Sequence, residues 1–257
     1  MLGSPISHSK SPVIHSAAFA SLGLDSEYGS FEVSGALGEF LATKSIDYRG
    51  FSVTMPLKEE ALNLAERVDS IAIASGAANT LIRTDTGWDA YNTDVFGIQM
   101  ALASKKFRSV SILGTGATAR SAIVAMQELD KSVVIWGRNS AAIKQLTAEY
   151  EVHSEPLLHK VVQADLVIST LPPRGLDEHL DSVLAKPSGL LLDVAYDPWP
   201  SRAAGLWGPE RTVSGLEMLI WQAVGQQRLF AGNDLSEPLP GEKELLLAIR
   251  SAVDMAK

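Results

Sequence analysis

Short apolar runs alternate with segments of helical spacing along the whole chain. Residues 28–33, 50–54 and 78–82 read as strands. Residues 12–22, 35–44 and 57–67 carry apolar side chains three and four apart, the spacing of a helix with one buried face. Ser11-Pro12 predicts a helix start, with serine as the cap and proline in the first turn, where its missing N–H costs nothing.

Beyond residue 108 the alternation tightens. Residues 109–113 form a largely apolar strand that stops at Gly114-Thr115-Gly116, and a helix follows to about residue 129. Strands are predicted at 132–136, 165–170 and 189–194, with a short one near 212–213. Helices are predicted at 140–150, from 216 onward, and at 242–255. Near-continuous apolar strands separated by helices are what a parallel sheet covered on both faces requires. The predicted fold class is therefore α/β in two parts. The first is an N-terminal α/β domain over residues 1–93. The second is a doubly wound, Rossmann-type domain over residues 94–215, with the helices of 216–257 free to pack on either.

Composition narrows the function classes. Of 257 residues, 46% are hydrophobic and 20% charged, enough for a real core. The formal charge of −8 argues against nucleic acid as the main partner. No run of 18 apolar residues suggests a membrane span, and no secretion signal is visible, so a cytoplasmic protein is expected. The absence of cysteine removes thiolate metal sites, disulfides and cysteine nucleophiles together. No histidine cluster has metal-ligand spacing, and no G-x-S-x-G elbow is present.

The candidate chemistry lies in loops. Gly114-Thr115-Gly116-Ala117-Thr118-Ala119 has the G-x-G-x-x-A form between a strand and a helix. Its first glycine permits the tight turn, its second a close backbone approach to a pyrophosphate, and Ala119 close helix–strand packing. At the next strand end, Trp136-Gly137-Arg138-Asn139 has no acid to hold a ribose 2′-hydroxyl. Arg138 stands there instead, suited to a 2′-phosphate, with Lys144 a possible second cation. This favours NADP over NAD, against the plain alternative of a solvated loop arginine. In the first half, Ser9 and Ser11 set two hydroxyls at a helix start, suited to a carboxylate or simply to capping. Thr54 and Lys58 lie just past a strand end, Asn79 is the one amide in a run of small residues, and Asp94 opens a helix.

Taken in order, these stretches resemble the shikimate dehydrogenase family. They are Pro5-Ile6-Ser7-His8-Ser9-Lys10-Ser11-Pro12, Val53-Thr54-Met55-Pro56-Leu57-Lys58, Gly76-Ala77-Ala78-Asn79-Thr80, Asn92-Thr93-Asp94-Val95-Phe96-Gly97, the glycine turn through Arg120, Asp193-Val194-Ala195-Tyr196-Asp197-Pro198, and Gly215-Leu216-Glu217-Met218-Leu219-Ile220-Trp221-Gln222. The resemblance implies reversible, NADPH-dependent reduction of 3-dehydroshikimate to shikimate, in aromatic amino-acid biosynthesis. It implies a substrate domain completed by the C-terminal helices, joined to an NADP domain, in a monomer or homodimer. Carried over residue by residue, Lys58 and Asp94 would be the catalytic pair. Ser9 and Ser11 would hold the substrate carboxylate, with Tyr196 nearby, and Thr54, Asn79 and Gln222 would hydrogen-bond its ring hydroxyls. Gly114, Thr115, Gly116, Ala117, Thr118, Ala119, Arg138, Asn139, Gly215 and Met218 would face the cofactor.

Three departures from the family pattern stand out. Only Met1 and Leu2 precede Gly3, so the first strand is expected to be short. Ser52 replaces the usual asparagine, and the cofactor loop reads Gly137-Arg138-Asn139. Two other readings stay open at this level: a quinate/shikimate or aminoshikimate dehydrogenase using NAD, and a non-catalytic paralogue that keeps the cofactor fold. The enzyme reading requires that residues 58 and 94, far apart in sequence, meet.

Overall fold

The computed structural model describes residues 1–44, 47–183 and 185–255, and the chain divides into two compact units. The first comprises Met1–Gly97 with Leu219–Lys257, the second Ile98–Met218. The sequence boundaries at 93/94 and 215/216 lie a few residues earlier because the chain passes from unit to unit inside helices, where no composition change marks the crossing.

The first unit runs β1 (Leu2–Gly3), α1 (Ser11–Ser21), β2 (Phe31–Glu32), α2 (Leu37–Lys44), β3 (Gly50–Ser52), α3 (Lys58–Leu64), β4 (Arg67–Val68), α4 (Ser70–Ser75), β5 (Thr80–Arg83), β6 (Trp88–Tyr91) and the start of α5 (Asp94–Leu102). β3, β5, β6 and β4 form a sheet in that order, with β3–β5 and β5–β6 antiparallel and β4–β6 parallel. β1 and β2 pair in parallel, and Leu2 bridges Val53. Phe51, Leu57, Ala61, Leu81 and Trp88 fill the core of this unit.

Several predicted elements are shorter than expected. The strand at 28–33 is reduced to Phe31–Glu32. The helix at 57–67 ends at Leu64, because Arg67 enters the sheet and pairs with Asp89 through two hydrogen bonds of 3.0 and 2.6 Å. Lys10, not Ser11, is the cap residue of α1, and it caps with no side-chain bond; Ser11 is already in the first turn.

The second unit contains β7 (Val110–Leu113), α6 (Ala117–Glu128), β8 (Val133–Trp136), α7 (Ser140–Tyr150), β9 (His153–Ser154), α8 (Leu158–Val161), β10 (Leu166–Ser169), β11 (Leu190–Asp193), α9 (Arg202–Trp207) and β12 (Thr212–Ser214). All six strands are parallel, in the order β12-β11-β10-β7-β8-β9. This is the doubly wound arrangement, whose strand order reverses between β7 and β10. Core strands β7 and β10 are buried at every position, Ser111 and Ser169 included, as a central parallel strand requires.

Two helices close the chain, α10 (Gly215–Phe230) and α11 (Glu242–Met255). Within the first unit α11 packs along α1 through Leu245, Ile249 and Val253. Arg228 of α10 ties the start of α11 with a bidentate pair to Glu242 at 2.8 and 2.6 Å, and its guanidinium lies 4.9 Å over the Phe96 ring. The pair is almost wholly buried, and the two parallel bonds offset the desolvation of both charges. No helix of the described residues is long and apolar enough to cross a membrane.

Candidate active site and cofactor turn

In the first unit Lys58 and Asp94 meet. Lys58 Nζ lies 2.5 Å from Asp94 Oδ2, with the two side chains only 13% and 7% exposed. Lys58 is the first residue of α3, where the positive end of the helix dipole disfavours a cation. Its backbone carbonyl accepts from the N–H of Ala78, which brings the lysine beside the run 76–80. A charge set there is costly unless something nearby compensates it, and Asp94 is that group.

Asp94 is itself fixed at three points. Its N–H donates to Asn92 Oδ1 at 2.9 Å, anchoring the start of α5. Its second carboxylate oxygen, Oδ1, accepts from Asn79 Nδ2 at 2.8 Å, while Oδ2 takes the lysine. Asn79 sits between two strand ends, its N–H donating to Tyr91 O and its carbonyl accepting from Val53. Its amide also donates to Thr93 Oγ1 at 2.9 Å and to Gln222 Oε1 at 3.3 Å. Lys58, Asp94, Asn79 and Gln222, four residues read from the sequence as site residues, thus form one connected group. At Gly225 an added Cβ would lie 3.1 Å from the Phe96 ring and 3.3 Å from Thr93 Cβ, so a glycine here lets α10 approach α5 closely.

Ser9, Ser11 and Thr54 belong to the same unit. Ser9 Oγ accepts from the Ser11 N–H at 3.2 Å, which leaves the Ser9 proton to donate elsewhere, and Ser11 is 7% exposed. Thr54 closes the turn into α3 by accepting from the N–H of Leu57. Tyr196 follows β11 in the second unit, half-buried.

Sequence reading passed over the polar residues behind this group. His15, wholly buried, lies between Gln226 and Gln227, and burial lowers its pKa to about 3, so the ring is neutral. Gln222 and Gln226 are four apart on a largely apolar helix. That spacing puts both amides on one face and was the available signal.

The second unit holds the glycine turn. Gly114 has φ +126°, and an added Cβ would lie 2.2 Å from Thr170 Oγ1, so only glycine fits. Gly116 caps α6 with no side-chain bond, no acid stands in the first turn, and a Cβ added there would meet nothing within 4 Å. The helix therefore offers unsatisfied N–H groups and open space to a diphosphate. Ala119 is buried against the strand. Thr115, Ala117 and Thr118 are partly exposed around the turn. Past β8, Arg138 is exposed, and Asn139 caps α7 by accepting from Ala142 at 3.1 Å. With no carboxylate at this strand end and an exposed arginine in its place, these residues fit a dinucleotide bearing a 2′-phosphate. Gly215, whose added Cβ would lie 2.0 Å from Val194 O, starts α10, and Met218 is buried one turn on. At the end of β11 burial pushes the Asp193 carboxyl upward, against hydrogen bonds from Ser201 and Ala195.

Comparison with known proteins agrees with both halves. A model of the shikimate dehydrogenase substrate binding domain matches residues 1–81, and one of coenzyme F420-dependent NADP oxidoreductases matches residues 109–196. The shikimate dehydrogenase (NADP(+)) of Ignicoccus hospitalis is 30% identical, covering 90% of this chain and 92% of its own. That of Microcystis aeruginosa is 32% identical, covering 96% and 95%. Among solved structures, Mycobacterium tuberculosis shikimate dehydrogenase superposes with a TM-score of 0.85 at 34% identity, over 100% of this chain and 98% of that one. Shikimate 5-dehydrogenase from Thermus thermophilus, in complex with NADP(H) and shikimate, gives 0.84 at 30% identity, over 98% and 97%. With the lysine–aspartate pair in one unit, the dinucleotide turn in the other, and relatives matched from end to end, this chain belongs to the shikimate dehydrogenase family.

Proposed function

We propose that this protein is an NADP-dependent shikimate dehydrogenase that interconverts 3-dehydroshikimate and shikimate, with Lys58 and Asp94 as its catalytic pair. The observation that carries the reading is the 2.5 Å contact between these two residues, braced by Asn79 and set in a largely buried, polar pocket of side chains. When bound, NADPH supplies the hydride that reduces the ketone carbon. The protein must then manage the negative charge that develops on the ketone oxygen. Lys58 Nζ provides a fixed positive charge and holds a proton at that oxygen. Asp94 fixes the direction of the lysine head group through Oδ2, while its own orientation is set by Asn79 and Asn92.

Ser9 and Ser11 hold the substrate carboxylate, Thr54, Asn79 and Gln222 take the ring hydroxyls, and Tyr196 is a further substrate-binding residue. Gly114, Thr115, Gly116, Ala117, Thr118 and Ala119 cradle the diphosphate. Arg138 and Asn139 meet the adenosine 2′-phosphate, and Gly215 and Met218 also face the cofactor.

The test is a rate matrix of shikimate and quinate against NADP and NAD, followed by the absorbance of the reduced nicotinamide. Shikimate with NADP is expected to be the fast combination. Equal rates for quinate with NAD would replace this reading with the broader quinate/shikimate one. Lys58→Ala is expected to lose about 10²–10⁴-fold in kcat with cofactor affinity unchanged. Full activity in that variant would remove Lys58 from the mechanism.

A further inference from the structure

Gln226 is 1% exposed on α10, and its orientation follows by elimination. The carbonyl oxygen of Asn79 can only accept, so the Gln226 atom 3.0 Å from it is the amide nitrogen, which also donates to Thr80 Oγ1 at 2.9 Å. Gln226 Oε1 therefore accepts from Ser52 Oγ at 2.7 Å and from His15 Nε2 at 3.1 Å. His15 must then carry its proton on Nε2, and its Nδ1 accepts from Gln227 Nε2 at 2.8 Å. At the other end, Thr80 Oγ1 donates to Asn79 Oδ1 at 2.8 Å and the Thr93 N–H donates to the same oxygen at 2.9 Å. Asn79 Nδ2 is thereby turned towards Asp94.

The donors run head to tail: His15 to Gln226, Gln226 to Thr80, Thr80 to Asn79, Asn79 to Asp94. Each bond polarises the next in the same sense, and every amide in the series has one orientation open to it. Gln226 grips Asn79 twice, at its carbonyl and, through Thr80, at its side chain. Ser52 supports the glutamine from the other side.

We propose that Gln226 is a positioning residue for the Lys58–Asp94 pair, acting through Thr80 and Asn79 without touching the substrate. The proposal rests on the dehydrogenase reading for its kinetic consequence, but its structural half can be measured without turnover.

Three variants test it. In Gln226→Leu, kcat for shikimate oxidation is expected to fall about tenfold while KM for NADP stays within about twofold, the loss of one bond in a charge-coupled series. Thr80→Val, nearly isosteric, cuts the same series one link on and is expected to show the same split, with Thr80→Ser restoring the parent rate. Glu242→Gln breaks the buried pair with Arg228 on the same helix but no link of the series. It is expected to lower the melting temperature and leave kcat unchanged. Side-chain amide NMR gives the independent readout: the Asn79 Nδ2 protons are expected to be resolved and exchange-protected in the parent and in Glu242→Gln, and shifted in Gln226→Leu and Thr80→Val. Unchanged Asn79 signals in both of those variants, or a kcat loss in Glu242→Gln equal to theirs, would overturn the proposal. An inactive parent whose Asn79 signals still respond to Gln226→Leu would instead overturn the substrate assignment and leave the positioning role standing.

Discussion

The buried histidine should make the fold acid-sensitive in a way that can be sized from its surroundings. His15 is fully buried, stacked on Tyr28 with ring centroids 4.2 Å apart and planes 6° from parallel, and bonded at both nitrogens. Burial lowers its pKa from 6.5 to about 3. The unfolded chain therefore binds a proton that the folded chain refuses. Its contribution to stability is complete above pH 6.5 and is lost as pH falls from 6.5 towards 3. Between about pH 7.5 and about pH 4.5 the loss is about 3 kcal/mol, at about 1.4 kcal/mol for each unit below the unfolded pKa. One local adjustment works against it. A proton on Nδ1 would confront the Gln227 amide, donor against donor, but Gln227 Oε1 is buried and bonds to nothing among the described residues. Turning that amide over would recover a bond worth about 1 kcal/mol, but this raises the folded-state pKa by less than about one unit, so the folded ring is still neutral at about pH 4.5 and the loss there stays near about 3 kcal/mol. Urea unfolding of the parent and of His15→Gln at both pH values isolates this term, because other titrating groups are common to the two. His15→Gln is expected to be less stable at neutral pH and to lose about 3 kcal/mol less on acidification. Equal losses in the two proteins, or a His15 ring signal that titrates near pH 6.5, would refute the reasoning.

Two further outcomes concern the cofactor turn. Arg138→Ala is expected to raise KM for NADP about 10–100-fold, the loss of a charge-assisted phosphate contact, and to leave KM for NAD unchanged. Steady-state rates with the two cofactors decide it, and a parallel rise for both would dissociate Arg138 from the 2′-phosphate. Gly114→Ala forces a side chain to φ +126° and sets its Cβ against Thr170 Oγ1, which is engaged by Leu113 O. The melting temperature is expected to fall by roughly 5–10 °C with loss of NADP binding, read by calorimetry and titration. A variant as stable as the parent would mean that the turn relaxes more easily than its contacts imply.

The legible parts of this molecule were those whose signal is local. The parallel sheet showed itself because β7, β8, β10 and β11 are each short apolar runs bounded by turns, whereas the two exposed residues of its edge strand β9 went unread. The dinucleotide turn was legible because its glycines answer a requirement of the backbone itself. The hairpin of β5 and β6 went unread, although Asp85-Thr86-Gly87 lies between them, because Trp88-Asp89-Ala90-Tyr91 puts a carboxylate in a buried strand that only the distant Arg67 makes tolerable. α3 was read three residues too long for the same reason: Arg67 answers to its partner in the sheet and not to helical spacing. Lys58, Asp94 and Asn79 were visible as polar groups in places that should be bland. His15, Thr80 and Gln226 were not, because a buried polar residue looks ordinary until the atoms that satisfy it are known.

The first unit is discontinuous, and that governs when its polar centre can exist. Strands, the lysine and the aspartate all leave the ribosome within the first hundred residues, yet the glutamines that close the network arrive more than a hundred residues later, on α10. Whatever the nascent amino-terminal segment forms must do without the bonds that Gln222 and Gln226 make to Asn79 and Thr80 throughout synthesis of the entire nucleotide-binding insert. The insert is a single stretch and needs no such wait. The bracing of Asn79 from α10 is therefore a late acquisition of this polypeptide, fixed by the order in which its codons are read and not by the speed of either half.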